Sequence, residues 1–378
     1  MKEKYLINDI CDVGSSKRIY LSEYQANGIP FYRGKEIIEK DSNRDISNEL
    51  FISHERYNEI KEKFGVPVEG DILMTAVGTI GVSWYVNESN FYFKDGNLIW
   101  FKNFKKDKVN SKYLYYIFKS KMFSEIIRNI SIGSTQKAIT IEQVKKIQLN
   151  FPKIDIQNRI VNILDGINDK IRINNEINNN LYEISKQLLL KYLNENKSSD
   201  EINISKFLNI FTGKKNANET SPTGKYKFFS CAPESLLSDT YLCDSAAIIV
   251  AGNGAYTGRT RFYDGKFELY QRTYGLTLKD GFEKNNIYGL YIFMKTIFEP
   301  DKMGGTHGSA IPYIVLSDLT DYKIKYNKVE FDRFSNLVSG NIKMIQENEK
   351  SNEKLSELRD TLLQKLMNGE IDLDNIEI

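Results

Sequence analysis

The sequence predicts an α+β protein in which two similar domains are separated by two long antiparallel coiled-coil helices, the halves related by a pseudo-twofold axis. Three observations predict it. The chain repeats itself at a period near 175 residues, too long for a solenoid and right for a duplicated domain with its connector. Each repeat opens on short β-rich runs punctuated by Gly, Asn and Asp. Each closes on a stretch with almost no Gly and no Pro, where apolar residues recur at helical steps.

Four blocks carry the duplication. Tyr113-Leu-Tyr-Tyr-Ile-Phe118 answers Tyr288-Gly-Leu-Tyr-Ile-Phe293, and Gly133-Ser-Thr-Gln-Lys-Ala-Ile139 answers Gly308-Ser-Ala-Ile-Pro-Tyr-Ile314, both at an offset of 175. Ile72-Leu-Met-Thr-Ala-Val-Gly78 answers Ile248-Ile-Val-Ala-Gly-Asn-Gly254 at 176, and the leucine-rich ends around Leu188 and Leu362 match at 174. The same order at nearly constant spacing predicts residues 1–152 and 199–325 as domains, with 153–198 and 326–378 as long helices. Strands are expected at Gly81–Val86, Asn97–Phe101 and Arg261–Tyr263, and single helices at 110–128 and 286–299. Gly78–Gly81 reads as a hairpin turn.

The helical stretches have a heptad-like stripe. In the first it runs through Ile160, Leu164, Ile167, Ile171, Asn174, Leu181, Ile184 and Leu188. In the second it runs through Phe334, Val338, Ile345, Asn348, Leu355, Leu358 and Leu362. Asn174 and Asn348 share a register, and a seam asparagine fixes alignment at some cost in stability; asparagine is also simply common here. At 1.5 Å per residue, 155–193 would be roughly 58 Å long. Asn368-Gly369 reads as a helix C-cap. Joined halves of this kind favour antiparallel helices with a domain at each end.

Composition narrows the function. Charged residues make up 27% and hydrophobic ones 41%, an ordinary globular balance. The longest apolar run, Ala246–Ala251, is far short of the ~20 residues of a membrane span. The first residues lack the apolar core of a signal peptide. Three cysteines (Cys11, Cys231, Cys243) without a CxxC pair argue against a disulfide scaffold or zinc site, and a cytoplasmic location is expected. The net charge of +2 hides a gradient: 1–152 carries +4, 326–378 carries −4, and 94–146 alone carries +8. A basic block suits a polyanion, although a solvated lysine-rich surface would look the same.

Catalytic patterns are missing. Thr212-Gly-Lys-Lys215 lacks the leading glycine and the hydroxyl of a phosphate-binding loop. Gly252-Asn-Gly-Ala-Tyr-Thr-Gly258 sits between strand-like runs and opens no helix. The two histidines are His54, in a charged helical stretch where solvation is expected, and His307, in a Gly-rich loop. The chain reads as a binder, with no cofactor or metal of its own.

The paired loops, each followed by a strand and a long helix, resemble the specificity subunits of type I restriction–modification systems. Asp71-Ile-Leu-Met-Thr, Asp95-Gly-Asn-Leu, Gln271-Arg-Thr-Tyr-Gly275, Ile156-Gln-Asn-Arg-Ile160 and Leu366-Met-Asn-Gly-Glu370 extend the resemblance over essentially the whole chain. One departure stands out: Val329-Glu-Phe-Asp-Arg-Phe334 replaces the Gln-Xaa-Arg-Ile turn in the second repeat. The resemblance implies that each α+β domain is a target recognition domain reading one half of a bipartite site in double-stranded DNA. The helices would set the spacer and dock two modification (adenine methyltransferase) subunits and, in complexes that cleave, restriction subunits with translocase and nuclease activity. S-adenosylmethionine, ATP and Mg would then belong to those partners. Half-sites about one helical turn (~34–36 Å) apart would face the same side of the duplex.

Base edges call for Arg, Lys, Asn, Gln, Ser and Thr at loop tips, and phosphates for further basic groups. The candidates in the first domain are Arg33, Thr75, Thr79, Lys94, Ser134, Thr135, Gln136 and Lys137. Those in the second are Asn253, Tyr256, Arg259, Arg261, Gln271, Arg272, Tyr274, His307 and Ser309. Arg259, Arg261 and Arg272 are the three arginines of 199–325 and fall within 14 residues. Two alternatives stay open: a specificity subunit of a methylation-only or type II-like system, and a coiled-coil scaffold whose domains bind proteins.

Overall fold

The computed structural model describes residues 3–42, 46–131, 137–298, 312–368 and 370–371. It divides the chain into two compact units, one of residues 1–170 with 354–378, the other of residues 171–353. Each combines an α+β body with stretches of both long helices, Ile154–Glu195 and Lys328–Asn368. The predicted α+β class with two long helices is what the chain adopts. No helix among the described residues is long and apolar enough to cross a membrane.

In the first unit an antiparallel sheet runs in the order Asp12–Gly14, Leu98–Lys102, Ile72–Thr75, Ser83–Tyr85. A second sheet orders Tyr24–Gln25, Phe51–Ile52, Ile29–Tyr32 and Tyr92–Phe93, its last pair parallel. In the second unit a single six-stranded sheet is built around Cys243–Ala251 and Thr260–Leu269, flanked by Thr273–Leu278 and Leu208–Thr212 on one side. Both units also carry an antiparallel ribbon just before a long helix, Glu3–Leu6 with Gln148–Phe151 and Glu201–Asn203 with Lys323–Lys325.

The expected helix over 110–128 is two helices, Ser111–Lys119 and Lys121–Ile130. Ser120 breaks them apart: its backbone is extended and its hydroxyl oxygen accepts the N–H of Phe123, capping the second helix. The counterpart in the other unit is the single helix Asn286–Ile297.

Both domain helices dock on a long helix by polar contacts. The Asn110 N–H donates to Gln157 Oε1 (3.0 Å), and the Tyr116 hydroxyl donates to Asp165 (2.6 Å). In the other unit Asn285 and Asn286 donate to Asn336 and Asp332 (2.7 and 2.8 Å). Gly289 permits the close approach there, because a Cβ would lie 2.4 Å from Ser335 Oγ. The departure in the repeat now has a physical account. Gln157 is buried and its amide donates to the Lys108 and Pro152 carbonyls. Phe331, at the same register, is buried instead among Tyr192, Phe207, Tyr326 and Phe334. Hydrophobic burial replaces a bridging amide.

Within each unit the long helices pair antiparallel. In the second unit Asn174 donates to Asn352 (2.7 Å), Asn348 to Asn178 (2.8 Å) and Asn341 to Ser185 (3.0 Å), so numbers fall on one helix as they rise on the other. In the first unit Arg359 meets Asn168 (3.2 Å), while Ile160, Val161 and Leu164 share a core with Leu363 and Leu366. Of the predicted seam, Ile160, Leu164, Asn174, Phe334 and Val338 are buried. Ile167, Ile171, Leu181, Leu188, Ile345, Asn348, Leu355 and Leu362 are half-buried.

Two predicted seam residues are wrong by one position. Ile184 and Leu358 are 52% and 47% exposed, and the inward places belong to Ser185 and Arg359. The reason is the same in both helices. Seven-residue steps from Asn178 and Asn352 land on 185 and 359, and an apolar-only reading slips to the neighbouring aliphatic residue. Gly369, the predicted C-cap, lies outside the described residues.

The seam asparagines predict a measurable cost. Asn174→Ala leaves the buried-side Oδ1 of Asn352 without its donor, and unfolding in urea should show a loss of about 1–2 kcal/mol with unchanged m-value. A variant as stable as the parent would show that the amide pair contributes nothing.

Candidate nucleic-acid interface

The duplication is most literal in one hydrogen-bonded frame. In the first unit strand Ile72–Thr75 leaves into a turn and returns as Ser83–Tyr85; in the second, Cys243–Ala251 returns as Thr260–Leu269. The Gly78 N–H donates to the Lys137 carbonyl and that of Gly254 to Pro312, both at 3.0 Å. Ile139 donates to Ala76 (2.9 Å) as Ile314 does to Gly252 (2.8 Å). Ala76 donates to Asn97 (2.8 Å) as Gly252 does to Arg272 (2.9 Å). Thr75 donates to Val82 and Ala251 to Arg259, both at 2.9 Å, and Gly81 to Thr75 (2.9 Å) as Gly258 to Ala251 (2.8 Å). Five bonds recur at equivalent positions, with one extra residue in the second turn. In each unit the frame gathers three chain segments at one place: the strand-to-strand turn, the turn at 97 or 272, and the segment at 137–139 or 312–314.

In the first unit this frame exposes Thr79 at the turn tip and Lys137 beside it. Thr75 is not at the surface. It is 1% exposed and its hydroxyl accepts the Val82 N–H (3.0 Å), so it closes the turn and cannot meet a ligand. Lys94 is half-buried after the strand Tyr92–Phe93, its N–H donating to the Tyr32 carbonyl. Arg33 sits at the start of helix Gly34–Asp41 and grips the fully buried Glu36, Nη2 to Oε1 at 2.6 Å and Nε to Oε2 at 3.1 Å. Burial pushes the Glu36 carboxyl up, but the Arg33 guanidinium and backbone N–H groups outweigh it and leave the group below its ordinary value. Arg33 is therefore part of the fold's internal charge balance. Ser134, Thr135 and Gln136 lie outside the described residues.

In the second unit the three clustered arginines differ sharply. Arg259 lies over the Tyr256 ring, 4.4 Å from its centre, and Tyr256 itself is exposed. Arg261 donates to the Ala232 carbonyl and lies near the Phe229 ring. Burial, and then the neighbouring Arg259 charge, lower its pKa. Arg272 is exposed, and its guanidinium makes no hydrogen bond or ion pair among the described residues. Its carbonyl is pinned twice, by the Gly252 N–H and by Cys231 Sγ (3.2 Å). Gly252 makes this possible: a Cβ there would lie 2.5 Å from the Arg272 oxygen.

Next to it the exposed Gln271 donates to Asn216 Oδ1 (2.8 Å), and the Tyr274 hydroxyl donates to the Ile314 carbonyl (3.1 Å). Asn253 accepts from Cys231 Sγ (3.1 Å). A recess of about 340 Å³ is lined by Gly252, Gln271, Arg272, Tyr274, Tyr313 and Ile314. His307 and Ser309 lie outside the described residues. His54 is exposed at the start of helix His54–Phe64.

The basic block 94–146 is partly neutralised from within. Lys112 pairs with Asp165 (2.8 Å), Lys145 with Glu142 (2.9 Å) and Lys119 with Asp41, while Lys102 lies 3.7 Å over Trp100. Lys105, Lys106, Lys121, Arg128, Lys137 and Lys146 stay exposed. Among the described residues no three His, Cys, Asp or Glu side chains are grouped to hold a metal.

Sequence reasoning missed Asn97, Cys231 and Tyr313. Both Asn97 and Tyr313 had a signal, since Tyr313 stands inside the repeat block Gly308–Ile314 and Asn97 in the Asp95-Gly-Asn-Leu stretch. Cys231 had none.

The chain is similar to known proteins over its first half and, at lower identity, over nearly its whole length. Residues 2–183 match the family model described as the type I restriction modification DNA specificity domain. A putative type I restriction enzyme specificity subunit of Haemophilus influenzae is 31% identical over 194 residues, 49% of this chain and 47% of that protein. The type I restriction enzyme EcoDI specificity subunit of Escherichia coli is 32% identical over 126 residues, 32% of this chain and 26% of that protein. The chain thus spans about half and about a quarter of these two relatives. The MjaIX specificity subunit of Methanocaldococcus jannaschii is 22% identical over 98% of this chain and 93% of its own length. A type I restriction-modification S subunit from M. genitalium has the same fold, with a TM-score of 0.61 at 17% identity over 97% of this chain and 96% of that one.

The Arg33–Glu36 pair sets a test with a definite sign. Its stabilisation is present above the ordinary carboxylate value near ~4.3 and is lost as the pH falls through the lower folded-state value. Arg33→Met should cost about 2 kcal/mol at neutral pH, discounted for the part-exposed arginine. The gap from the parent in chemical unfolding should narrow as the pH falls and close only once the pH has passed below the lowered folded-state value, where Glu36 is protonated in the parent as well. A gap independent of pH would show that Arg33 acts through packing alone.

Proposed function

We propose that the chain is the sequence-reading DNA-binding subunit of a type I restriction–modification complex. One observation carries the reading: two α+β bodies hold the same five-bond backbone frame and set different side chains on it. Two readers of one construction suit a bipartite site whose halves differ. The residues 1–152 and 199–325 are the two target recognition domains in this reading, and the long helices between and after them act as spacer and docking surface.

The chemistry at the frame supports a polyanion. Exposed Lys137 in the first unit, with half-buried Arg259 and exposed Gln271 and Arg272 in the second, offer phosphate and base contacts, and exposed Lys105, Lys106 and Arg128 add positive charge elsewhere on the first unit. Thr79, Asn253, Tyr256 and Tyr274 add polar edges, and Lys94 a half-buried charge. Adenine methylation and ATP-driven cleavage then reside in partner subunits. S-adenosylmethionine, ATP and Mg go with those partners, in the cytoplasm where the host DNA lies. This chain breaks no bond itself.

The test is co-purification with the modification subunits followed by mapping of methylated adenines. A two-part motif with an unread gap is expected. Gln271→Ala with Arg272→Ala should relax or abolish recognition of one half only, and unchanged methylation of the same bipartite sequence would refute the assignment. Binding should also weaken steeply with salt, by roughly 10³-fold between 50 and 200 mM for about six phosphate contacts. A protein-binding scaffold would have no such salt dependence on DNA.

A further inference from the structure

The shared frame makes residues of the two units comparable one by one. Asn97 and Arg272 are equivalent: each gives its carbonyl to the N–H of the residue that opens the neighbouring turn, Ala76 and Gly252, at 2.8 and 2.9 Å. The backbone at both positions is therefore held in place. The side chains are not. Neither the Asn97 amide nor the Arg272 guanidinium makes a hydrogen bond or ion pair among the described residues, although both are solvent-accessible.

Their neighbours behave differently. Arg33 is tied to Glu36, Arg261 to a carbonyl, Arg259 to a ring and Gln271 to Asn216. A fixed backbone with an unengaged recognition side chain, present at the same place in both copies, is the arrangement that a position kept for a ligand requires.

We infer that Asn97 and Arg272 are the paired specificity-determining residues of the two domains, Asn97 reading an adenine in one half-site and Arg272 a guanine in the other. The base assignments follow from edge chemistry. The asparagine amide matches the N6 donor and N7 acceptor of adenine, and the guanidinium fork matches O6 and N7 of guanine. A pinned carbonyl fixes the point from which each side chain leaves the backbone, and the free χ rotations then let it reach a base edge. This inference rests on the DNA-reading function proposed above.

The experiment uses the full chain, purified with any modification subunits that accompany it, and a pool of duplex DNA with randomised sequence. The parent should enrich a two-part sequence. Arg272→Ala should lose its preference for guanine at one position of one half, by roughly 10- to 100-fold, with the other half unchanged. Asn97→Ala should lose an adenine preference in the opposite half.

Arg272→Lys keeps the charge and can still donate to guanine, so it should retain affinity with a weakened guanine preference. If Arg272→Ala instead weakens binding equally on all sequences and leaves the guanine preference intact, Arg272 is a phosphate contact and the inference fails. It fails equally if either alanine variant enriches the parent sequence, or if either loses both halves, which would assign the residue to the fold. A parent that enriches no two-part sequence overturns the DNA-reading function itself, a result visible before any variant is made.

Discussion

The seam between the two long helices is the constraint from which the rest follows. Neither helix has a continuous apolar stripe. Asparagines and a serine interrupt it, and an unpartnered buried amide costs about 1–3 kcal/mol. Within the second unit those amides meet each other, Asn174 with Asn352 and Asn178 with Asn348, and the aromatic cluster around Tyr192 and Phe331 closes the seam beyond them. Apolar pairing would tolerate a shift along the axis. Amide-to-amide bonds do not, because a shift of one residue breaks every one of them.

The long helices also position the domains. Each domain helix meets its long helix through polar groups, the Asn110 N–H and the Tyr116 hydroxyl in one unit, the Asn285 and Asn286 side chains in the other. The two copies solve this differently. A buried glutamine bridges three backbone groups in the first, and a phenylalanine fills an aromatic cluster in the second. The first needs exact partners; the second needs only volume. Divergence at that position was open to the chain because the surrounding ribbon and helix supply the same walls in both.

At the frame the division of labour is reversed: backbone geometry is kept and side chains vary. Main-chain N–H and C=O groups do not depend on the side chain outside proline, so a frame made of them survives substitution wherever a Cβ has room, which it lacks at Gly252. What stands on it can then change without refolding. Thr75 and Arg33 show the limit of that freedom. Both are polar, both stand near the frame or its supporting helix, and both are committed to internal partners.

The duplication, the α+β class and the extents of the long helices were legible in the amino-acid sequence, because repeats and periodicity are local properties of a chain. The equivalence of Ile72–Gly78 with Ile248–Gly254 proved true to individual hydrogen bonds. The break at Ser120, and the seam places of Ser185 and Arg359, needed the fold. A serine cap competes with helix continuation only once its neighbours are packed, and a polar residue enters a seam only when a partner such as Asn341 or Asn168 stands opposite. The candidate site divided in the same way. Sequence could say that arginines cluster at 259–272. Tertiary structure alone decided that two of them are engaged by neighbouring groups, that Thr75 is buried, and that Asn97 stands where Arg272 does, since a side chain's availability depends on neighbours distant in the chain.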